Sequence, residues 1–510
     1  MRENQNLKDQ TPGKELPILA NSAEKPEKSV KSGRGKVRAI VLLAVHAVIL
    51  LHITHYHFTG RSVSPVEPSE SMYALELGHI NAGTIFFGLA ILSTAIFGRF
   101  FCGWGCHIVA LQDLCSYVLR KFGIRPKPLR SRLLILTPFA VAFYMFLWPT
   151  INRLWHGNQH PGFSNHLMTE NFWITFPGPL VSVLTFAVCG GVVVYLLGNK
   201  GFCTYACPYG AFFSISDRIA PGRIRVTDAC QHCGQCTAHC TSNVSIHKEV
   251  KEYGMVVDPG CMKCMDCVSV CPNDALYFGL SLRDGGSAYD AVPKSKKKYD
   301  YSLAEEFAGM AVGLFTVFAM RGLYDATPFL LTIALAAISA YATIQLIRVF
   351  KVRDLRIQNF RIKRENQITT AGIITVMLIL GWFAFNFHSY FVQHHRWQGR
   401  HHLSKVNIVW EELLVPNQSL NFPQSDLNNI NAAAKHFEIA DRYGLIDIVE
   451  IKLGLAIGAL ARNDVASGEA YIRSAYAKNP NAFRELLMTF LVSQDRQDEA
   501  LKLMPASSEH

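Results

Sequence analysis

Two runs of cysteine carry the plainest chemistry in this 510-residue chain. Cys230, Cys233, Cys236 and Cys240 are spaced C-x2-C-x2-C-x3-C, and Cys261, Cys264, Cys267 and Cys271 repeat the pattern with Pro272 next. Such spacing lets one loop wrap three irons of a cubane while the fourth cysteine reaches the other cluster. The expected sets are Cys230, Cys233, Cys236 with Cys271, and Cys261, Cys264, Cys267 with Cys240, making two [4Fe-4S] clusters. A pair of zinc sites would need no third closely spaced cysteine in either run. Thr241 follows Cys240 where proline is usual, which bears on the turn after the ligand more than on the ligand.

Four more cysteines form two pairs, Phe101-Cys102-x3-Cys106-x3-Ala110 and Phe202-Cys203-x3-Cys207-x3-Ala211. If each segment continues as helix, residues four apart share a face and the two thiols point the same way. Brought together at the cytosolic membrane surface, Cys102, Cys106, Cys203 and Cys207 could hold a further iron–sulfur cluster or copper. Kept apart, each pair could be a redox dithiol, or simply small packing residues. Cys115 and Cys189 stand alone and read as core residues. His52, His55 and His57 follow the first apolar stretch, on the side that also carries His79, His156, His160, His166, His388, His394, His395, His401 and His402. Imidazoles there could bind haem, copper or a quinone head group, although interfacial histidines are ordinarily just wet polar residues.

These residues must be positioned by a chain that is 50% hydrophobic, with mean hydropathy +0.15. Its formal charge of +11 would suit nucleic acid, but Lys and Arg gather in short runs beside apolar stretches, as in membrane proteins. No nucleic-acid motif occurs, and no nucleic-acid partner is expected. The cysteine spacing points to metal ligands in a reducing compartment rather than to disulfides.

Seven apolar stretches of about the length a bilayer needs run over roughly 38–56, 78–98, 132–149, 177–198, 306–323, 327–348 and 368–388. Basic residues concentrate from Lys25 to Arg38, Arg120 to Arg132 and Arg348 to Arg364, leaving the alternate connections little more than Arg61, Arg153 and Arg321. The positive-inside rule then puts the N-terminus in the cytosol and, with seven spans, the C-terminus outside. The expectation is a mainly α, multi-pass protein of the inner (cytoplasmic) membrane. Residues 1–36 form a disordered cytosolic tail, and 37–198 a four-helix membrane domain with duplicated CxxxC hairpins. Residues 199–300 form a cytosolic α+β ferredoxin-like domain of the bacterial two-cluster type, and 301–390 three further transmembrane helices. Residues 391–510 form an extracytoplasmic helical domain. There Ala456, Gly468, Ile472, Ala475 and Pro480 fall on the small-residue and proline positions of one tetratricopeptide repeat, so the domain reads as TPR-like.

At residues 80–280 the chain resembles the membrane polyferredoxin group that includes NapH, NosR and the oxidase accessory protein CcoG. Cys203, Cys207 and Pro208 match the group's CxxxCP element in full, and Cys102 and Cys106 match with His107 where proline stands. The resemblance implies cytosolic [4Fe-4S] clusters and quinol-linked electron delivery or copper-centre assembly. Spans five to seven and the outer domain have no counterpart within that group and suggest a partner of their own. The expected function is electron transfer between a quinol pool or cytosolic donor and a redox protein outside the cytoplasm, as a component of an oxidoreductase system. The other readings are a maturation factor that reduces or inserts copper, and a redox sensor. Fold analogy cannot decide among these.

Overall fold

The computed structural model describes residues 33–127, 129–173, 178–280, 299–408, 413–414 and 422–504. The polar tail expected over 1–36 lies almost wholly outside these residues, and the lysine run 294–298 lies entirely outside them.

In chain order, α1 (Gly33–Thr59) is followed by α2 (Ala82–Phe97), two shorter helices α3 (Phe100–Trp104) and α4 (His107–Lys121), and α5 (Leu134–Trp155). Next come α6 (Pro179–Leu197), α7 (Gly201–Tyr205) and α8 (Pro208–Ile219). Among the described residues six helices are long and apolar enough to cross a membrane. Of the seven expected stretches the second falls short. Its helix α2 has 16 residues, about 24 Å at 1.5 Å per residue, against ~30 Å of hydrocarbon. Asn81 starts it by accepting the Thr84 backbone N–H at 2.8 Å. Gly98, at φ +70°, stops it where a Cβ would strike Lys263, Asp217 and Gly222.

Short strand pairings set the ends of these helices. Ser62–Val63 pairs with Met168–Thr169, and His79–Ile80 with Ser164–Asn165, so the connection before α2 and the one after α5 share a face. At the opposite ends Arg38 of α1 donates to Asp266 of the cysteine-rich insert at 2.9 Å. The first four apolar helices thus run between a loop face and a ferredoxin face.

The insert is built on β1 (Gly222–Val226) paired antiparallel with β2 (Leu276–Leu280). Ile224, Val244, Ile246, Val250, Val256, Val268 and Leu276 form its core. Three longer helices follow, α9 (Leu303–Met320), α10 (Phe329–Lys351) and α11 (Thr370–Leu403). A capping box of Ser302 and Glu305 opens α9, and Glu306 accepts the backbone N–H groups of Arg132 and Leu133 at 3.0 and 3.1 Å, tying α9 to the start of α5. The glycines of this fifth stretch have a packing reason. A Cβ at Gly309 would lie 2.9 Å from the Ala340 carbonyl, so the bare backbone lets α10 approach closely.

Helix α11 has 34 residues, about 51 Å, and carries the chain past the loop face into α12 (Gln424–Tyr443), α13 (Val449–Ala461), α14 (Val465–Lys478) and α15 (Pro480–Ser493). Ile451, Ala456, Ile472, Ala475 and Leu487 are buried where successive helices meet. A regular seam joins α11 to α12. His388 donates to the Tyr443 carbonyl (2.9 Å), His395 Nδ1 meets His436 Nδ1 (2.8 Å), and His402 Nδ1 donates to Asn429 Oδ1 (3.2 Å). Each rung is seven residues from the next on both helices, the register of an antiparallel heptad pairing.

Burial, then the nearby His395, His402, His394 and Lys435, hold the His436 imidazole below its ordinary pKa. The sign follows from linkage. A released α12 takes up the proton more readily than the docked one, so docking is complete above the ordinary His value (~6.5) and weakens as pH falls through it. Proteolysis of the 422–504 region should therefore be faster at pH 5 than at pH 8, and His436→Asn should flatten that difference. Equal rates for the parent protein at the two pH values would refute the seam's pH sensitivity.

Candidate iron–sulfur centres

Each cysteine run is shaped by the same backbone device. His232 and Gly234 in the first loop, and Lys263 and Met265 in the second, have φ between 50° and 78°. Asn243 and Asp274 do the same after the fourth cysteine of each run, at φ 61° and 47°. These offsets from Cys230 and from Cys261 are identical. Left-handed residues other than glycine are uncommon, and alternating them turns successive amides inward into an anion-holding concavity.

The fold brings the cysteines together in interleaved sets. Cys230, Cys233, Cys236 and Cys271 line one cavity with His232, His247 and Val250. Cys240 lies near Cys261 and Cys264, and Cys267 near Cys261, Cys264 and Cys240. Burial pushes the Cys240 thiol up to about 12 and the Cys267 thiol well above its ordinary value. Such groups ionise only against a cation that holds them. Cys236 also acts on Cys267, so the two sets adjoin. Cys233 is the exposed member of the first set, and Cys261 and Cys267 of the second are buried.

The CxxxC pairs also meet, though not as a continuous helix would arrange them. Cys102 lies in α3 and Cys203 in α7, whereas Cys106 and Cys207 are extended residues that open α4 and α8. A turn inside each pair, not the pitch of one helix, brings the thiols together. Cys106 lies near Cys203 and Cys102, and Cys207 near Cys106 and Cys102. Cys102, Cys106 and Cys203 sit in one cluster with Phe87, Phe146, Phe213 and Met262, and Cys207 adjoins it from the α5–α6–α10 core.

The site is not confined to the ferredoxin face, where the sequence had placed it. After Gly98 the chain folds back along α2, bringing the Phe101 ring to 5.3 Å from Phe86. His107 then reaches Glu67 of the loop-face segment at 3.3 Å, and Met72 of that segment packs on the cluster. From the other side the Cys261–Cys264 loop closes in. Trp104 Nε1 donates to the Lys263 carbonyl at 3.0 Å, and a Cβ at Gly103 would lie 2.2 Å from the Met262 carbonyl and 3.3 Å from Cys264 Cα. The four cysteines therefore sit between the two faces, with the second ferredoxin loop in contact.

Cys203, like Cys102, is buried, and Cys106 and Cys207 are half-buried. A working dithiol needs the opposite, an accessible thiol of lowered pKa. The surrounding charges suit a negative centre. Arg99 stands beside Cys102 and Cys207, Gln112 Nε2 donates to Cys203 Sγ at 2.9 Å, and Lys200 acts on Cys203. Lys200 is 2% exposed, and its ammonium has no hydrogen-bond partner among the described residues. An unpaired buried ammonium is costly, and a cubane on four thiolates would supply the missing negative charge. Arg99 and Lys200 each stand three residues before the first cysteine of a pair. Sequence reasoning missed them, although a basic residue at that repeated position was the available signal.

Among the described residues no three His, Cys, Asp or Glu groups could hold a single metal ion. His52, His55 and His57 do not converge. His52 bonds the Val63 carbonyl and His55 the Ser62 hydroxyl, at 3.0 and 3.2 Å, and His57 lies against Phe58. Cys189 is packed in the α5–α6–α10 core, and Cys115 lies against Gly190.

A 4Fe-4S binding domain family matches residues 82–125 and again 180–227, and a 4Fe-4S dicluster domain family matches 229–276. YccM of Escherichia coli is 25% identical over 200 residues, 37% of this chain and 54% of YccM. The methylamine utilization ferredoxin-type protein MauN of Methylobacillus flagellatus is 26% identical over 181 residues, 34% of this chain and 60% of MauN. The ferredoxin-type protein NapH of Haemophilus influenzae is 25% identical over 236 residues, 43% of this chain and 77% of NapH. The chain thus spans little more than half the length of the first two of these relatives. No solved structure matches. With its iron–sulfur binding domains, its apolar helices and these relatives, the chain is similar to the NapH-like membrane polyferredoxin-type proteins.

Proposed function

We propose that the chain is a membrane electron relay with three [4Fe-4S] clusters in sequence, of which Cys102, Cys106, Cys203 and Cys207 hold the one nearest the membrane. The observation that carries this reading is the meeting of the two CxxxC pairs under the Cys261–Cys264 loop, with Cys106 near Cys203 and Cys102, and Cys207 near Cys106 and Cys102. Each of the matched segments 82–125 and 180–227 brings only one such pair, so a four-thiolate cluster must be shared between them. Electrons would pass from it to the cluster on Cys240, Cys261, Cys264 and Cys267, and on to the one on Cys230, Cys233, Cys236 and Cys271. The exposed Cys233 end is where a soluble redox partner would dock. The membrane end would serve the quinol pool or a redox protein on the loop face.

Iron content tests the reading. Anaerobically purified protein should carry about twelve irons per chain, four for each cubane, and reduction should give three coupled paramagnetic centres by EPR. About eight irons and two centres would sink the shared third cluster.

The ferredoxin face is assigned to the cytosol and the TPR-like 422–504 region to the opposite side. The runs of Lys and Arg beside the ferredoxin-face ends of the helices support this, as does the passage of α11 beyond the loop face. Reporter fusions at Ser287 and Glu509 should then give opposite activities, and like activities would overturn the assignment.

A further inference from the structure

A cavity of about 1180 Å³ lies between α5, α9, α10 and α11, away from the four cysteines. Its walls are apolar, including Val141, Gly313, Val317, Ile333 and Ala337. Leu314 and Phe318 at its rim are 55% and 71% exposed, so it opens onto the lipid-facing surface. A void of that size cannot stay empty. Water does not solve the problem, because the walls offer too few hydrogen-bond partners. Hydrocarbon must fill it.

The loop-face end of the cavity is polar and carries three arginines. Arg396 is committed to Asp325 and Glu450, both at 2.6 Å, and Arg400 to Glu450 at 2.5 Å. Arg321, which ends α9, differs. Its guanidinium lies over the Tyr144 and Phe329 rings at 4.7 and 5.7 Å, and among the described residues no carboxylate pairs with it. The site is an apolar slot that ends in one uncompensated, permanent cation. A ligand that matches both features has an acyl chain and an anionic head.

We propose that this cavity holds a membrane phospholipid, with an acyl chain between α5 and α9–α11 and its phosphate on Arg321. The lipid would fill the joint between the iron–sulfur helices and the three helices that carry the outer domain. The proposal is independent of the cluster assignment, because none of the cavity's lining residues is a cysteine.

Photolabelling tests it. The full chain, in phosphatidylcholine nanodiscs doped with phosphatidylglycerol bearing a diazirine on its acyl chain, is irradiated and its peptides are mapped. Label should concentrate on residues 310–321 and 329–340. Arg321→Gln should reduce it roughly tenfold, as expected for losing a charge-assisted hydrogen bond, while Arg153→Gln leaves it unchanged. Ala337→Trp, which fills the slot from the side, should also remove it, with an unchanged iron–sulfur absorbance certifying the fold. Label spread evenly over the outer helix surfaces would overturn the proposal, as would label indifferent to Arg321→Gln and Ala337→Trp. So would displacement of the lipid by an isoprenoid quinone analogue added in equal amount, which would mark the slot as a quinone site.

Discussion

Cys102→Ser and Cys203→Ser are each expected to remove about four irons and one EPR-active centre, and the double variant should lose no more than either alone. Residues that act as one unit are non-additive in this way. The physical reason would be the sharing of the proposed single cubane by two chain segments a hundred residues apart, each supplying two of four thiolates. A three-thiolate remnant in so buried a place would also leave Lys200 and Arg99 short of negative charge. The two ferredoxin centres should persist in these variants, because their eight cysteines come from other loops. That persistence separates loss of one cluster from general unfolding. Losses that add across the two variants would mean independent dithiols, and unchanged iron in either variant would mean packing residues.

Asp217→Ala should be the most damaging change away from the cysteines. Asp217 ends α8 with its side chain fully buried, and it receives the Lys263 ammonium at 2.8 Å and the Arg99 backbone N–H at 2.9 Å. Arg223, 1% exposed, stands 3.7 Å away. One carboxylate thus joins α8, the start of α3 and the loop between Cys261 and Cys264. Removing it strands a buried ammonium in the loop that touches the CxxxC site, a loss of about 3–5 kcal/mol for a broken buried pair. Denaturant titration followed by iron–sulfur absorbance should show a clearly lower midpoint. Asp217→Asn, which keeps an acceptor for Arg99 but no charge, should recover part of the loss. Replacing Glu365, paired with Arg364 at 3.9 Å where both are about two-thirds exposed, should move nothing measurable. An unchanged midpoint in Asp217→Ala would remove this carboxylate from the joint between the domains.

Local order was legible from residue types and spacing. The x2 spacings keep three cysteines of each run in one loop, and the same spacing gave the expectation that Cys240 joins the second set and Cys271 the first. Six of seven apolar stretches could be read as long helices because hydrocarbon demands continuous apolar length. The duplication around Cys102 and Cys203 was equally visible, since it is a matter of letters and offsets.

Tertiary structure decided what those letters meet. The CxxxC spacing suggests one helical face, yet the thiols converge through a turn in each pair and a chain that folds back along α2. No local pattern encodes that reversal. It depends on Gly98 fitting against Lys263, Asp217 and Gly222, two of them more than 120 residues away. The same holds for the lone cation of Arg321 at the end of an apolar slot, and for the histidine rungs matched to Tyr443, His436 and Asn429. Spacing along a chain limits which neighbours a residue has within a turn or two. Which distant surface arrives to compensate its charge or fill its void is set by packing, and packing is a property of the whole fold.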